Sequence, residues 1–234
     1  MLKDKVICVI GATGGMGKVL CENLAREGAK LILSSQREEA LQELKQTLCD
    51  SFGVKVFAQQ VDCTREEQVE AFFQEAGQQF GTMDALVNLA GLSIPGQITE
   101  TEEAIFNQMM DVNVRTIYLA SKHYVKYAAP GARIINIGSM AARRTNGNAP
   151  LYCMAKSAVN VISEGLQMQL ASRDIRVTTL NPGGADTPFW GDRKVKRENM
   201  LQPQDVVDTI LFVLNSNHRI AIHSIDFESI HMIG

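Results

Sequence analysis

Residues 5–17, KVICVIGATGGMG, place a short apolar run directly before a turn rich in glycine. The run 5–10 predicts a buried β-strand, and the amphipathic stretch 15–29 predicts a helix that ends at Gly28. Such a turn lets the backbone approach phosphate groups closely, and the helix start offers unpaired N–H groups and a positive dipole end. We therefore interpret it as a dinucleotide-binding turn, and its predicted contact residues are Gly11, Thr13, Gly14, Gly15, Met16 and Gly17. The alternative is a strand–helix turn that binds no ligand. An ATP-type loop is excluded because Lys18 is followed by Val19 rather than by serine or threonine.

The same alternation continues through the chain. Further strands are predicted at 30–35, 54–62, 84–91, 132–139, 175–184 and 219–225. Further helices are predicted at 37–53, 64–81, 102–128, 150–172 and 203–215. Strands that alternate with helices of this length indicate right-handed crossovers and a parallel sheet covered on both faces. The prediction is an α/β chain with a single-domain Rossmann fold over residues 1–234, a doubly wound parallel sheet of seven strands.

Composition limits the function classes. The chain has 234 residues, 45% of them hydrophobic, and a net charge of −3, which argues against nucleic acid as a partner. No zinc-ligand spacing is present, so no metal site is predicted. The first strand is too short for a signal peptide or a membrane span. Five cysteines without a CxxC pair indicate buried thiols in a reducing cytoplasm, and they are Cys8, Cys21, Cys49, Cys63 and Cys153.

Small and polar residues follow the carboxyl ends of the predicted strands. They are Asp62 and Cys63, then Asn88, Ala90 and Gly91, then Ser139, and finally Asn181, Pro182 and Gly183. Each alone has a structural explanation as a cap, turn or loop residue. Because the carboxyl ends of parallel strands meet at one edge, we expect these residues to converge on a ligand site there.

Tyr152 and Lys156 are four residues apart at the start of the helix that follows Ser139, so they share one helix face. The ammonium of Lys156 is expected to lower the pKa of the phenol and to make it an acid–base group. Ser139 and Tyr152 would then polarise a carbonyl without a metal. A Ser–His–Asp site is a weaker interpretation, because no GxSxG surrounds Ser139 and no histidine is placed to serve it.

Over nearly its whole length the chain resembles the short-chain dehydrogenase/reductase family. The motifs are GATGGMG (11–17), NLAG (88–91), YCMAK (152–156) and NPGGADT (181–187), with Ser139 lying 13 residues before Tyr152. The C-terminal stretch 219–234 lacks the family's common glycine-rich VDGG ending and is more similar to short bacterial members such as 3-oxoacyl-(acyl-carrier-protein) reductases and related carbonyl reductases.

The resemblance implies a role for each matching residue. Tyr152 exchanges a proton with the substrate oxygen, Lys156 lowers its pKa and holds the nicotinamide ribose, and Ser139 orients the carbonyl. Asn113 holds a water in the proton relay. On the cofactor, Asp62 contacts the adenine amine, and Cys63 contributes a backbone group. Asn88, Ala90 and Gly91 line the adenosine ribose, and the segment with Pro182, Gly183, Ala185 and Thr187 contacts the carboxamide.

The predicted activity is reduction of a ketone or aldehyde, or oxidation of the secondary alcohol. The alternatives are a non-catalytic dinucleotide-sensing protein of the same fold and, less favoured, dehydration or epimerisation. Arg143, Arg144 and Arg173 either meet an anionic substrate or carrier protein or form a solvated face, and the second interpretation is favoured. The irregular segment 183–201 is predicted to be a substrate lid, with Phe189 and Trp190 over the substrate. The helices at 102–128 and 150–172 are expected to pair copies into a homodimer or homotetramer.

The second predicted strand ends without the carboxylate that an NAD site uses for the ribose 2′-hydroxyl. Ser35, Gln36 and Arg37 stand there instead, and Glu38 and Glu39 fall in the next helix. Ser35 and Arg37 can donate to a 2′-phosphate. NADP(H) is therefore the predicted cofactor, with use of NAD(H) as well left open.

Overall fold

Apolar runs form the central strands, and more polar runs form the two edge strands, of one parallel sheet in the computed structural model, which describes residues 2–233. The strands are β1 (Val6–Ile10), β2 (Lys30–Ser35), β3 (Val56–Gln60), β4 (Met83–Asn88), β5 (Ala128–Ile137), β6 (Arg176–Pro182) and β7 (Ser224–Phe227). Their order in the sheet is β3-β2-β1-β4-β5-β6-β7, and every neighbouring pair is parallel. The predicted doubly wound sheet of seven strands is confirmed.

Helices cover both faces of this sheet. They are α1 (Gly15–Arg26), α2 (Glu38–Phe52), α3 (Glu66–Phe80), α4 (Glu103–Met110), α5 (Thr116–Tyr124), α6 (Pro150–Leu170) and α7 (Pro203–Asn215). Successive residues of β1 point to opposite faces, so Val9 belongs to an apolar cluster with residues of α1, α2 and α7, whereas Cys8 belongs to one with residues of α3, α5 and α6. Two apolar cores therefore hold the sheet between two helical layers.

The chain order reverses between β1 and β4. From β1 it runs outward through β2 and β3, and then it returns to β4 on the other side of β1. The connections leaving the carboxyl ends of β1 and β4 diverge at this point and open a crevice, the usual ligand position in open α/β sheets. The glycine turn after β1 lies at this crevice.

The predicted helix over 102–128 is wrong in its extent and continuity. A π-helical turn at Asp111–Arg115 separates α4 from α5, and α5 ends at Tyr124. The buried Tyr124 donates a hydrogen bond to the carbonyl of Met83 (3.2 Å), and β5 pairs with β4 from Ala128. Pairing with the sheet therefore takes the residues that helical periodicity had assigned to the helix end.

The predicted strand over 219–225 lies further along the chain, as β7. Pairing of β6 with β7 begins at Thr179 and Ser224. One position earlier, the hydroxyl of Thr178 rather than a backbone group binds the carbonyl of Ile222 (2.7 Å). The regular ladder therefore starts late, and residues 219–223 remain outside the strand.

Candidate active site

A cleft of about 780 Å³ opens beyond the carboxyl ends of the strands. Nine of the predicted site residues line it, namely Met16, Gly91, Ser139, Tyr152, Lys156, Pro182, Gly183, Ala185 and Thr187. They come from the start of α1, the end of β4, the loop after β5, the start of α6 and the segment after β6. Of the nine strand-end residues expected to converge, four line the cleft, namely Gly91, Ser139, Pro182 and Gly183, and the other five do not, namely Asp62, Cys63, Asn88, Ala90 and Asn181.

The glycine turn is shaped by close contacts. Gly11 has φ of +84°, and a Cβ there would lie 3.0 Å from the backbone nitrogen of Ala90. At Gly17 a Cβ would lie 2.4 Å from the carbonyl oxygen of Gly11. At Gly15 it would lie 2.9 Å from the Cβ of Thr187. These three positions therefore require glycine, which brings β4, the turn and the segment after β6 into contact.

The N-terminus of α1 suits a phosphate group. Its N-cap, Gly14, is exposed and makes no side-chain cap, and no acidic residue stands in the first turn. The first N–H groups of the helix therefore remain available as hydrogen-bond donors at the positive end of the helix dipole. No carboxylate in this first turn repels an anion. By this test the turn fits the pyrophosphate of a dinucleotide.

The end of β2 adjoins the same turn. The Ser35 hydroxyl hydrogen-bonds to the Thr13 hydroxyl (2.5 Å), and the Arg37 guanidinium donates to the carbonyl and hydroxyl oxygens of Thr13. Gln36 is exposed and donates to Asp62 (3.4 Å). Glu38 and Glu39 form the first turn of α2 and are exposed, as predicted. The cluster of Thr13, Ser35 and Arg37 thus presents donors and a positive charge.

Asp62 and Cys63 follow β3. The carboxylate of Asp62 accepts from both the backbone N–H and the hydroxyl of Thr64 (3.0 and 2.7 Å). Burial acts to raise the pKa of Asp62, but these bonds and the charge of Arg65 lower it overall, so Asp62 is an ionised acceptor. The thiol of Cys63 points inward to the Ser34 hydroxyl (3.7 Å), and burial raises its pKa to about 11. Cys63 therefore offers only its backbone to a ligand.

The end of β4 lies beside the catalytic candidates. Asn88 is buried, and its side-chain nitrogen donates to the side-chain oxygen of Asn136 (2.8 Å), whereas the side-chain oxygen Oδ1 of Asn88 has no donor among residues 2–233. The backbone of Ala90 lies close to Gly11 in the glycine turn. A Cβ at Gly91 would lie 3.3 Å from Oδ1 of Asn113 and 3.4 Å from Nζ of Lys156. The lack of a side chain at Gly91 thus leaves space between those two groups.

Asn113 lies in the π-helical turn, where α-helical periodicity did not place it. Its amide nitrogen donates to the carbonyls of Leu92 (2.7 Å) and Met109 (2.9 Å), and its oxygen accepts from the N–H of Leu92 (3.2 Å). The side chain therefore holds the loop after β4. π-Helical turns recur at functional sites, and this turn brings Asn113 near Lys156.

The predicted lowering of the Tyr152 pKa is wrong. Burial raises it to about 12, although a hydrogen bond with Ser139 and the charge of Arg193 act in the opposite direction. Nζ of Lys156 donates to the carbonyl of Ile137 (2.8 Å) and lies 5.8 Å from the centre of the Tyr152 ring. Burial lowers the pKa of Lys156 to about 8. Desolvation therefore dominates both groups, because each lies where its charged form is poorly solvated.

A polar network around the buried Asn181 supports Ser139; Asn181 was predicted to lie at this edge of the sheet, but its contacts were not. The oxygen of Asn181 accepts from the N–H of Ser139 (3.0 Å) and from Asn160 (3.1 Å). The Asn181 amide donates to Asp226 (2.8 Å), which in turn pairs with Arg143 (2.9 Å). The only sequence signal was an asparagine inside an apolar strand and another inside a helix.

The segment 183–201 forms one wall of the cleft. Phe189, Trp190 and Arg193 line it, and the Phe189 ring lies 5.9 Å from the Tyr152 ring. Trp190 donates to the carbonyl of Ala185 (2.9 Å), and Arg197 pairs with Asp186 (2.6 Å). The segment is therefore held at its start and its end by its own contacts.

The arginines that the sequence offered for an anionic substrate each bind another group of the protein. Arg143 pairs with Asp226, Arg144 pairs with Glu228, and Arg173 donates to the carbonyl of Val125 (2.6 Å). Among residues 2–233 no helix is long and apolar enough to cross a membrane.

Comparison with known proteins agrees with this geometry. The family model described as short chain dehydrogenase matches residues 5–198. An uncharacterized oxidoreductase of Staphylococcus saprophyticus is 32% identical over 226 residues, covering 96% of this chain and 97% of that protein. Another, from Staphylococcus aureus strain MRSA252, is 30% identical over 232 residues, with 96% and 97% covered.

Solved structures show the same similarity. The alcohol dehydrogenase of the archaeon Thermococcus sibiricus, complexed with 5-hydroxy-NADP, superposes with a TM-score of 0.92 at 25% identity and covers 99% of each chain. A short-chain dehydrogenase/reductase of Serratia marcescens gives a TM-score of 0.88 at 27% identity, with 96% of this chain and 97% of that chain covered.

Proposed function

Because the chain belongs to the short-chain dehydrogenase/reductase family of NAD(P)-binding oxidoreductases, we propose that it reduces a ketone or aldehyde with NADPH and uses Tyr152 as the general acid. The observation that carries the proposal is the meeting of Ser139, Tyr152 and Lys156 in one cleft beside the glycine turn. A sensing protein would need the glycine turn but not a phenol, a hydroxyl and a buried ammonium at its reactive end.

The bound nicotinamide would supply a hydride to the carbonyl carbon. The phenol of Tyr152, with a pKa of about 12, carries its proton at neutral pH, and this is the form that donates to the carbonyl oxygen as the alcohol forms. The Ser139 hydroxyl would donate a second hydrogen bond to that oxygen. Lys156, which is protonated below about pH 8, would stabilise the phenolate that remains. Asn113 would position the loop beside these groups.

NADP(H) is the proposed cofactor, with NAD(H) as the weaker one. The support is the cluster of Thr13, Ser35 and Arg37, which offers donors and positive charge and contains no carboxylate. Glu38 and Glu39 are turned to solvent on α2. A guanidinium pairs well with a 2′-phosphate, whereas a ribose 2′-hydroxyl gains most from an acid at this position.

Three further features are part of the proposal. The chain would act as a single NAD(P)-binding domain in which 183–201 is a lid over the substrate. Copies would associate through α4, α5 and α6, which expose apolar side chains, and those of Tyr118, Val161 and Met168 are 49%, 67% and 81% exposed. A cytoplasmic location is consistent with five free thiols.

Replacement of Tyr152 by phenylalanine tests the catalytic proposal. Turnover should fall by at least about 10²-fold, as for removal of a general acid, while NADPH still binds. Tyr127→Phe is the matched control, because it removes the same hydroxyl from a residue outside the cleft. Near-normal turnover in Tyr152→Phe would disprove the mechanism.

A monomer mass in sedimentation at micromolar concentration would disprove the association.

A further inference from the structure

The positive charges around the cleft differ in whether they are neutralised. Arg144 lines the cleft and pairs with Glu228, and Arg197 in the lid segment pairs with Asp186. Arg193 and Lys194 also line the cleft, and no carboxylate among residues 2–233 lies within ion-pair distance of either, but Lys194 is exposed, unlike Arg193. The half-buried guanidinium of Arg193 is therefore a positive charge without a counter-ion among the described residues.

Arg193 is nevertheless held in place. Its Nε donates to the carbonyl of Trp190 (3.0 Å), and its Nη2 donates to the carbonyl of Phe189 (2.5 Å). The guanidinium carbon lies 5.2 Å from the centre of the Phe189 ring and 5.1 Å from that of Trp190. Its remaining nitrogen, Nη1, makes no hydrogen bond to residues 2–233. The side chain is thus preorganised with a donor still available.

The guanidinium is close enough to the reactive phenol to act on the same small molecule. The Phe189 ring on which it stacks lies 5.9 Å from the Tyr152 ring, and Ser139 lines the same cleft. The charge of Arg193 also lowers the pKa of Tyr152 against the effect of burial. A substrate whose carbonyl reaches Ser139 and Tyr152 therefore extends toward Arg193.

We propose that Arg193 binds a carboxylate of the substrate, so that the enzyme interconverts oxo acids and hydroxy acids. This inference rests on the proposed function. In the reduction, the carbonyl carbon gains the hydride from NADPH, the oxygen gains the proton of Tyr152, and the carboxylate remains unchanged on Arg193. A charge-assisted, planar contact of this kind selects the acid over its neutral ester. The competing occupant of Arg193 is the pyrophosphate of the cofactor.

The experiment measures kcat/KM with NADPH for a panel of oxo acids and for their methyl esters. In these acids, one, two or three bonds separate the carbonyl carbon from the carboxylate carbon. The wild type should prefer at least one acid over its ester. In Arg193→Met, kcat/KM for that acid should fall by about 30-fold, mainly through KM, and for the ester by less than about 3-fold. Arg193→Lys keeps the charge and loses the planar fork, so its kcat/KM for that acid should lie between the values of the wild type and of Arg193→Met. Lys196→Met is the control, because it removes the same charge from the same segment outside the cleft and should leave the acid-to-ester ratio unchanged.

Each other outcome has a distinct meaning. A wild type that reduces the esters and none of the acids disproves the inference and leaves the proposed function intact. Equal losses for acid and ester in Arg193→Met, with weaker NADPH binding, assign Arg193 to the cofactor and also disprove it. A wild type that reduces neither member of any pair counts against both the inference and the proposed function.

Discussion

Replacement of Lys156 by methionine should make the protein more stable while it removes most of the turnover. Lys156 is 3% exposed, and burial lowers its pKa from 10.5 to about 8. At about 1.4 kcal/mol per pKa unit, holding the charged form in the folded state costs about 3 kcal/mol at neutral pH. Methionine has a similar length and no charge, so it avoids this cost.

One interaction acts against this gain. Nζ of Lys156 donates to the carbonyl of Ile137 (2.8 Å), and loss of such a bond costs about 1–2 kcal/mol. The net expectation for Lys156→Met is a gain of about 1–2 kcal/mol at pH 7. For a chain of this size, that corresponds to a rise in Tm of roughly 2–8 °C.

The pH dependence identifies the cause. Below about pH 8 the lysine is protonated in both states, and the folded state bears the full cost. Between about pH 8 and 10.5 the folded lysine has lost its proton while the unfolded lysine keeps it, so wild-type stability should rise with pH relative to the variant. Thermal unfolding of both proteins from pH 7 to 9.5, followed by circular dichroism, measures this. A variant whose Tm at pH 7 equals or falls below that of the wild type would refute burial as the cause of the lowered pKa.

Three other changes test the site. Arg37→Ala should lower kcat/KM for NADPH by about 10–30-fold and for NADH by less than about 3-fold, because only NADPH offers a phosphate to the guanidinium. The control Lys45→Ala removes the same charge further along α2 and should leave the NADPH-to-NADH ratio of kcat/KM unchanged. A wild type that prefers NADH would overturn the cofactor assignment. Fluorescence of Trp190, the only tryptophan, should change when cofactor and substrate bind, since its ring lines the cleft; no change at saturation would contradict lid closure. Gly17→Ala should weaken binding of both cofactors alike, as seen by titration, because its Cβ would lie 2.4 Å from the carbonyl oxygen of Gly11 and must displace the turn. Unchanged binding would show that the turn adapts.

Local patterns in the sequence were sufficient for the architecture. Apolar runs separated by amphipathic stretches predict buried parallel strands and covering helices, because a sheet buried on both faces needs continuous apolar strands. The parallel arrangement then places strand ends together, so that the residues after β4, β5 and β6 could be assigned to one edge before any contact was known. The ends of elements were less predictable. The early end of α5 and the late start of β7 depend on pairing with β4 and β6, which lie far away in the chain.

The electrostatics of the site were decided only by the tertiary structure. Spacing placed Lys156 one helical turn from Tyr152 and predicted a lowered pKa for the phenol. In the structure, burial raises the pKa of Tyr152 to about 12, and the Lys156 ammonium donates to the carbonyl of Ile137. Likewise, Arg143 and Arg144 pair with Asp226 and Glu228, more than 80 residues away, while Arg193, which lines the cleft, pairs with no carboxylate among residues 2–233. Solvation and charge pairing depend on which groups the fold brings together, whereas secondary structure and strand-end position follow from residues that are neighbours in the chain.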